Sequence, residues 1–493
     1  MRAQAMPSEA GGRTIGRRVE ASAGDRLRAV ACWATVGLLV WAPIPLGSNR
    51  PWAWSLLAAW AAAALLVWAA GELAAPGPRP RAVWPVVVAA ATTLPVWGWA
   101  WLQSRPAASL AWLVPQPLWA ETAAAGVSGA VPMVGLDAAA GGDALMRLMS
   151  YAAVFWLAWR LGAEAARARL LLLAILAAIT ACAGYGLFAY LAGWETIGWL
   201  PKTAYVGDLT GTFVNRNSFA TYANLGIMVG MALLAEPFLA ARGLADLRRI
   251  AVEVVEQVVQ RRGLLLGTIM VLAMASLQTH SRGGLLSLGL ALLLLLFVLY
   301  LAMRPPAAGA LGVAAAGLLG GWALLAVSGG ATLERLGQID GNYDLEAAGR
   351  LTYWQISLDM VRERPWQGYG YGSFEAAFAQ HRDERFGDRV DKAHNTYVEH
   401  LVELGVPATL LLYAGPLLLF AYCLRGVLTR RRDRIYPLAA VGATLLVALH
   451  ALVDFSLQIP AVAVSYAALL GLGVAQATPT PAGAPRPGAS LRD

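Results

Sequence analysis

A chain of 493 residues that is 58% hydrophobic and only 14% charged is too apolar for a soluble domain, in which about a quarter of the residues carry charge. Its net charge of +8 comes without any basic run interleaved with aromatic side chains. That excludes nucleic acid as the partner the charge serves and leaves membrane topology and lipid headgroups.

Residues 1–26 form a basic tail with Arg13, Arg17, Arg18 and Arg26. No small-residue cleavage site follows the first apolar block; Pro43, Pro45 and Asn49 do, so the tail is expected to be cytoplasmic and to lead into a retained helix. Twelve apolar blocks follow, starting near Leu27, Pro51, Val83, Leu145, Leu170, Phe219, Leu264, Leu285, Ala307, Asn395, Ile435 and Ala461. Each is roughly 18 to 25 residues, the length needed to cross a bilayer as a helix. The predicted fold is therefore all-α and polytopic, with about twelve transmembrane helices: nine in residues 27–328 and three in 394–476. The Leu145–Gly162 block is the weakest, being short with Arg160 near its end. Cys32, Cys182 and Cys423 are scattered through these blocks, so neither a disulfide nor a cysteine metal site is expected.

Charge placement sets the orientation. With the N-terminus cytoplasmic, 24 of the 38 Lys and Arg residues fall inside, among them the Arg248–Arg262 and Arg425–Arg434 clusters. Of the 14 outside, 8 lie in one long loop, to which the positive-inside rule gives little weight. Both termini are then cytoplasmic. Residues 243–262 carry an apolar stripe (Leu244, Leu247, Ala251, Val254, Val258) and read either as a helix in the headgroup layer or as a plain linker helix. Residues 477–493 are rich in Pro, Ala and Thr and read as a disordered tail. No repeat of fixed period is found, which weighs against the inverted-repeat transporters.

Three outer segments are long enough to build a site: Ser104–Asp143, Gly193–Asn217 and the large polar loop 329–393. In the last, Leu351, Trp354, Leu358 and Val361 recur at helical spacing, and Pro365 stops the helix. Gly368, Gly370 and Gly372 make a turn, after which Ser373 is placed to cap a short helix to about His381.

Chemistry concentrates at this face. There is no GxxxxGK[ST] loop, no HExxH and no tight Asp/His cluster, so no nucleotide or metal site is predicted and no cofactor is expected. Arg216, in Asn215-Arg216-Asn217, and Arg282, in His280-Ser281-Arg282-Gly283-Gly284, lie at the outer membrane edge. Each guanidinium suits a phosphate, or snorkels to water. Two arginines on one face suggest a ligand with two phosphates, such as a lipid-linked pyrophosphate. Arg350 is a third candidate, or an i,i+4 partner of Glu346.

His394 is the general-base candidate, placed at the start of a long helix with Asp391 as its cap. On that helix Tyr397 shares its face, while Asn395 and Glu399 share the neighbouring one, Glu399 either pairing with an arginine or facing water. His450 and Asp454, at i,i+4, read as a hydrogen-bonded pair that shapes the cavity or as half of a metal site.

In this order these pieces resemble the O-antigen ligase and polymerase superfamily. The matching segments are Gly211–Ala220, Ser281–Gly284, Gly349–Phe374, His394–Glu399 followed by Leu404-Gly405-Val406-Pro407, and His450–Phe455, over roughly residues 200 to 475. The resemblance implies a metal-independent glycosyltransferase of the GT-C class. It would move a glycan, with inversion, from undecaprenyl pyrophosphate to an acceptor on the periplasmic face of the bacterial inner membrane. The acceptor would be lipid A–core or a lipid-linked repeat unit, and a chain-length regulator is a candidate partner. Arg216, Arg282 and Arg350 would hold pyrophosphate, and His394 would be the base. Asn215, Asn395, Tyr397, Glu399, His450 and Asp454 would support them. Pro43–Pro51 lacks acids, so the paired carboxylates of metal-dependent membrane glycosyltransferases have no counterpart there. The alternative is a transporter or flippase of lipid-linked glycans, for which ionisable residues at mid-membrane depth would be expected.

Overall fold

The computed structural model describes residues 22–80, 82–107, 110–240, 262–303, 342–382 and 389–478, with the backbone alone for 342–350. Most of the expected tails (1–21 and 479–493), the 243–262 stripe up to residue 261 and the block near Ala307 lie outside these residues; α1 begins inside the expected N-terminal tail, at Ala23. The described chain is helical apart from one hairpin, Thr196–Ile197 paired with Leu200–Pro201.

Among the described residues, five helices are long and apolar enough to cross a membrane: α2 (Pro51–Ala74), α3 (Trp84–Gln103), α6 (Ala165–Leu191), α10 (Arg282–Met303) and α14 (Val406–Thr429). Three shorter apolar helices, α9 (Gly263–Gln278), α15 (Ile435–His450) and α16 (Pro460–Ala475), pack among them. So do α1 (Ala23–Trp41), α5 (Ala138–Leu161) and α7 (Arg216–Leu234). Short α4 (Pro117–Ala124) and α8 (Glu236–Ala240), then α11 (Asn342–Glu363), α12 (Phe374–His381) and α13 (Thr396–Leu404), complete the set. In a bilayer every backbone N–H and C=O must be satisfied within its own segment, and helices do this at any sequence.

The weak fourth block is a 24-residue helix. It begins seven residues earlier than its apolar pattern, because Asp137 accepts from the N–H groups of Ala139 and Ala140 and so caps it. Its far end lies against α16, where Gly471 leaves room for Phe155; a Cβ there would sit 2.5 Å from the Phe155 carbonyl oxygen. Such small residues let helices approach closely. Asn224, fully buried on α7, donates to the Gly284 carbonyl (3.0 Å) and accepts from Ser276 (2.7 Å), tying α7 to α9 and α10.

One end of the bundle is basic. There Glu72 lies between Arg28 (3.6 Å) and Arg160 (2.9 Å), and Glu236 meets Arg169 (3.4 Å) and Arg262 (3.5 Å). Arg430 reaches the Gln476 side chain (2.9 Å), whose amide in turn donates to the Gly162 carbonyl (2.7 Å). Arg160, which weakened the fourth block as a membrane segment, is thus a partner in an ion pair.

The opposite end carries the long connections, folded into one layer. Buried Gln103 donates to the carbonyls of Gln367 (2.7 Å) and Glu403 (2.8 Å) and accepts from Tyr371 N–H (3.1 Å). The 104–143 loop joins the same layer. Leu136 N–H donates to Tyr369 and Asp137 N–H to the Ser373 hydroxyl. Ser373 therefore sits at the start of α12 without capping it with its side chain. The tenth apolar block divides at Gly405: α13 belongs to this layer, and α14 is the span.

The turn at Gly368 threads between α13 and the 104–143 loop. It has φ +64°, and a Cβ there would lie 2.4 Å from the Glu403 carbonyl oxygen. Gly368→Ala is therefore expected to lower the thermal unfolding midpoint of the purified protein sharply and to reduce folded yield. The left-handed backbone alone costs about 1 kcal/mol and the clash adds to it.

Candidate functional site

The layered end brings four distant segments together. Their geometry starts with Asn395, whose side chain accepts from the N–H groups of Tyr397 and Val398 (both 3.1 Å) and caps α13. The cap is thus Asn395 and not Asp391, because only a short polar side chain immediately before the first turn reaches those donors. His394 consequently stands outside the helix, at φ +50°, and shares no helical face with Tyr397.

The segment is pinned on both sides. Thr396 donates through N–H to the Ala451 carbonyl (2.9 Å) and through its hydroxyl to the Asp454 carbonyl (3.0 Å). Tyr397 donates to the Ala448 carbonyl (2.9 Å). Glu399 is buried and faces neither water nor an arginine. It accepts from Lys392 Nζ and from Ala393 N–H, both at 3.1 Å, and so staples the residues just before His394.

His394 is 24% exposed, with its ring edge-on to Phe455 (5.2 Å). Its Nδ1 lies 3.5 Å from Asp454 Oδ1, and neither atom has a hydrogen-bond partner among the described residues. Asp454 Oδ2 accepts from the Ser456 hydroxyl (2.5 Å). Burial alone would push this carboxyl up. The His394 contact, the nearby His450 charge and the Ser456 bond outweigh it and hold the carboxyl below its usual range. The two members of the expected His450–Asp454 pair turn to different partners: Asp454 faces His394, while His450 Nδ1 meets the Thr221 hydroxyl of α7 (2.5 Å).

Arg216 lies in the first turn of α7, which Asn215 caps through Asn217 and Ser218 N–H. The arginine does not snorkel freely. Its Nη1 donates to Asp208 Oδ2 (2.6 Å), and the guanidinium stacks over Tyr205 (5.3 Å). Asp208 Oδ1 meets His280 Nδ1 at 2.7 Å, so His280 pairs with a carboxylate and not with backbone. Burial raises the Asp208 pKa, but the His280 bond and the Arg216 charge outweigh it and the carboxyl stays ionised.

Arg282 opens α10, whose first turn is capped by Ser281 Oγ accepting from Gly284 N–H (3.2 Å). Beside it, a Cβ on Gly283 would lie 3.2 Å from His450 Nε2 and 3.1 Å from Val453. The Arg282 turn therefore abuts the turn that carries Asp454. Arg350 is on α11, and its side chain lies outside the described residues. Among the described residues no group of three His, Cys, Asp or Glu side chains is arranged to hold a metal ion.

Sequence reasoning missed Asp208, Lys392, Glu403 and Thr221. Asp208 and Lys392 had a signal, as charged residues inside segments already marked for their length. The others act through contacts that span up to hundreds of residues.

A multi-helix membrane protein with histidine, carboxylate and arginine side chains gathered in the loops at one end is the class that fold and site define. A family model described as O-antigen ligase matches residues 267–413, a stretch that contains Arg282, Arg350 and His394. This match agrees with the superfamily resemblance carried by the order of the chain's motifs. No curated protein matches the chain.

Glu403 of α13 gives this end a pH dependence. Burial first, and the Glu399 charge second, push its carboxyl up to about 8. The folded pKa lies above the unfolded one, so this stability is complete below the ordinary value of 4.5 and is lost as pH rises through about 8. Glu403→Gln keeps the acceptor for Phe374 N–H (3.1 Å). It is expected to leave the unfolding midpoint almost unchanged at about pH 4 and to flatten its fall between about pH 4.5 and pH 8.

Proposed function

We propose that the chain is an inner-membrane glycosyltransferase with its layered end in the periplasm. It takes a glycan from undecaprenyl pyrophosphate and passes it, with inversion and without a metal, to an acceptor hydroxyl. The acceptor is lipid A–core or a second lipid-linked repeat. The twelve-span, GT-C-like architecture with cytoplasmic termini belongs to this reading.

The observation that carries it is the His394–Asp454 contact, on the same end as Arg216 and Arg282. A carboxylate facing Nδ1 favours the tautomer with its proton there, leaving Nε2 as the base. Nε2 takes the acceptor proton as the acceptor oxygen bonds to the anomeric carbon. The bond from that carbon to the pyrophosphate oxygen breaks, and its electron pair leaves on the pyrophosphate. Guanidinium groups that neutralise this departing charge supply electrostatic stabilisation of the kind that dominates such reactions. Asn215, Asn395, Tyr397, Glu399 and His450 hold these groups in place.

The test is in vitro transfer from a lipid-pyrophosphate glycan, with free undecaprenyl pyrophosphate as the measured product. His394→Ala is expected to lower turnover by about 10²- to 10⁴-fold. Asp454→Asn is expected to lower it by a smaller factor and to shift the acid limb of the pH–rate profile. Full activity of His394→Ala would remove the base assignment. Movement of intact donor in proteoliposomes, with no product formed, would overturn the transferase reading in favour of a flippase.

A further inference from the structure

Asp208 lies where the two arginine-bearing turns meet. One carboxylate oxygen takes Arg216 Nη1 at 2.6 Å, and the other meets His280 Nδ1 at 2.7 Å. Its own carbonyl accepts from Lys202 Nζ at 2.8 Å, and its neighbour Leu209 donates through N–H to the Gln278 carbonyl at 3.0 Å. The side chain is 13% exposed, so these bonds act where solvent screens them weakly. His280 holds φ +53° two residues before Arg282, and Ser281 between them caps α10. Fixing His280 therefore fixes where Arg282 enters its helix.

The guanidinium geometry matters equally. A guanidinium binds an oxyanion bidentately through its Nε–H and the adjacent Nη2–H. Asp208 occupies Nη1, outside that edge. Arg216 Nε is buried and has no partner among the described residues. Tyr205 covers the face of the group, so it cannot rotate without losing the stack.

We infer that Asp208 is a positioning residue for a diphosphate ligand. It holds Arg216 by one nitrogen so that the Nε–Nη2 edge faces the ligand, and through His280 it sets the separation between Arg216 and the Arg282 turn. This rests on the reading of the two arginines as pyrophosphate ligands. The opposing role for the same carboxylate, an internal anion that competes with the ligand for Arg216, has the opposite consequence when it is removed.

The experiment measures binding of inorganic pyrophosphate to the full chain in nanodiscs, together with the donor KM. Asp208→Ala and Asp208→Asn are each expected to weaken pyrophosphate binding and raise the donor KM about tenfold, with Asp208→Glu recovering part of the loss. Asp359→Ala removes an exposed carboxylate on α11, paired with Arg362, and is expected to change neither. The shape-preserving Asn variant, checked by its unfolding midpoint, separates lost positioning from lost folding. Unchanged or tighter pyrophosphate binding in the Asp208 variants, with binding still weakened by Arg216→Ala, overturns the positioning role and leaves the arginine reading standing. Unchanged binding in Arg216→Ala overturns the arginine reading itself, and the inference with it.

Discussion

The exclusion of uncompensated charge from hydrocarbon organises this molecule. Ionised groups taken out of water are expensive unless they are paired and hydrogen-bonded, and here they collect at the two ends of the bundle. At one end arginines from six different helices or their termini meet glutamates and helix-end carbonyls, as at Glu72 and Glu236. At the other, Glu399 and Asp454 are buried and Asp208 is half-buried, and each has a specific donor. The apolar length between is what the helices alone can satisfy.

The layered end obtains its rigidity from backbone groups read by side chains far away in the chain. Gln103 joins the end of α3 to Gln367 and Glu403, across more than 260 residues. Glu399 holds Ala393, and Thr396 holds the Asp454 turn. His394 thus sits in an uncommon left-handed conformation that its neighbours determine on both sides. Such a conformation persists only where the surroundings over-determine it, and it aims the ring where no helical position would. The 104–143 loop is part of the packing that holds this arrangement, through Leu136 and Asp137.

Much of the architecture was legible in the sequence because hydrophobic length and helix periodicity are local. The apolar blocks coincide with described helices wherever the chain is described, and the Pro365 stop and the Gly368–Gly372 turn fall where their chemistry requires. The errors were also local. Asp391 was placed as the cap of α13, but Asn395, directly before the first turn, supplies that bond. Ser373 was placed as a side-chain cap, but its hydroxyl accepts from Asp137 N–H, a tertiary partner. The start of α5 was misplaced because a cap outranked an apolar run.

The sequence by itself determined the helical, membrane-like character, the resemblance to one superfamily and the residues worth suspecting, because composition, block length and motif order need no knowledge of distance. Only the tertiary structure decided which of those residues meet. It set His394 against Asp454 and not in line with Tyr397, turned His450 to Thr221, and bound Arg216 and His280 to one carboxylate that no spacing rule connects to either. The physical reason is that helix faces and caps are set within a few residues. The partner of a buried charge is whichever group the packing brings within about 3 Å, at any separation along the chain.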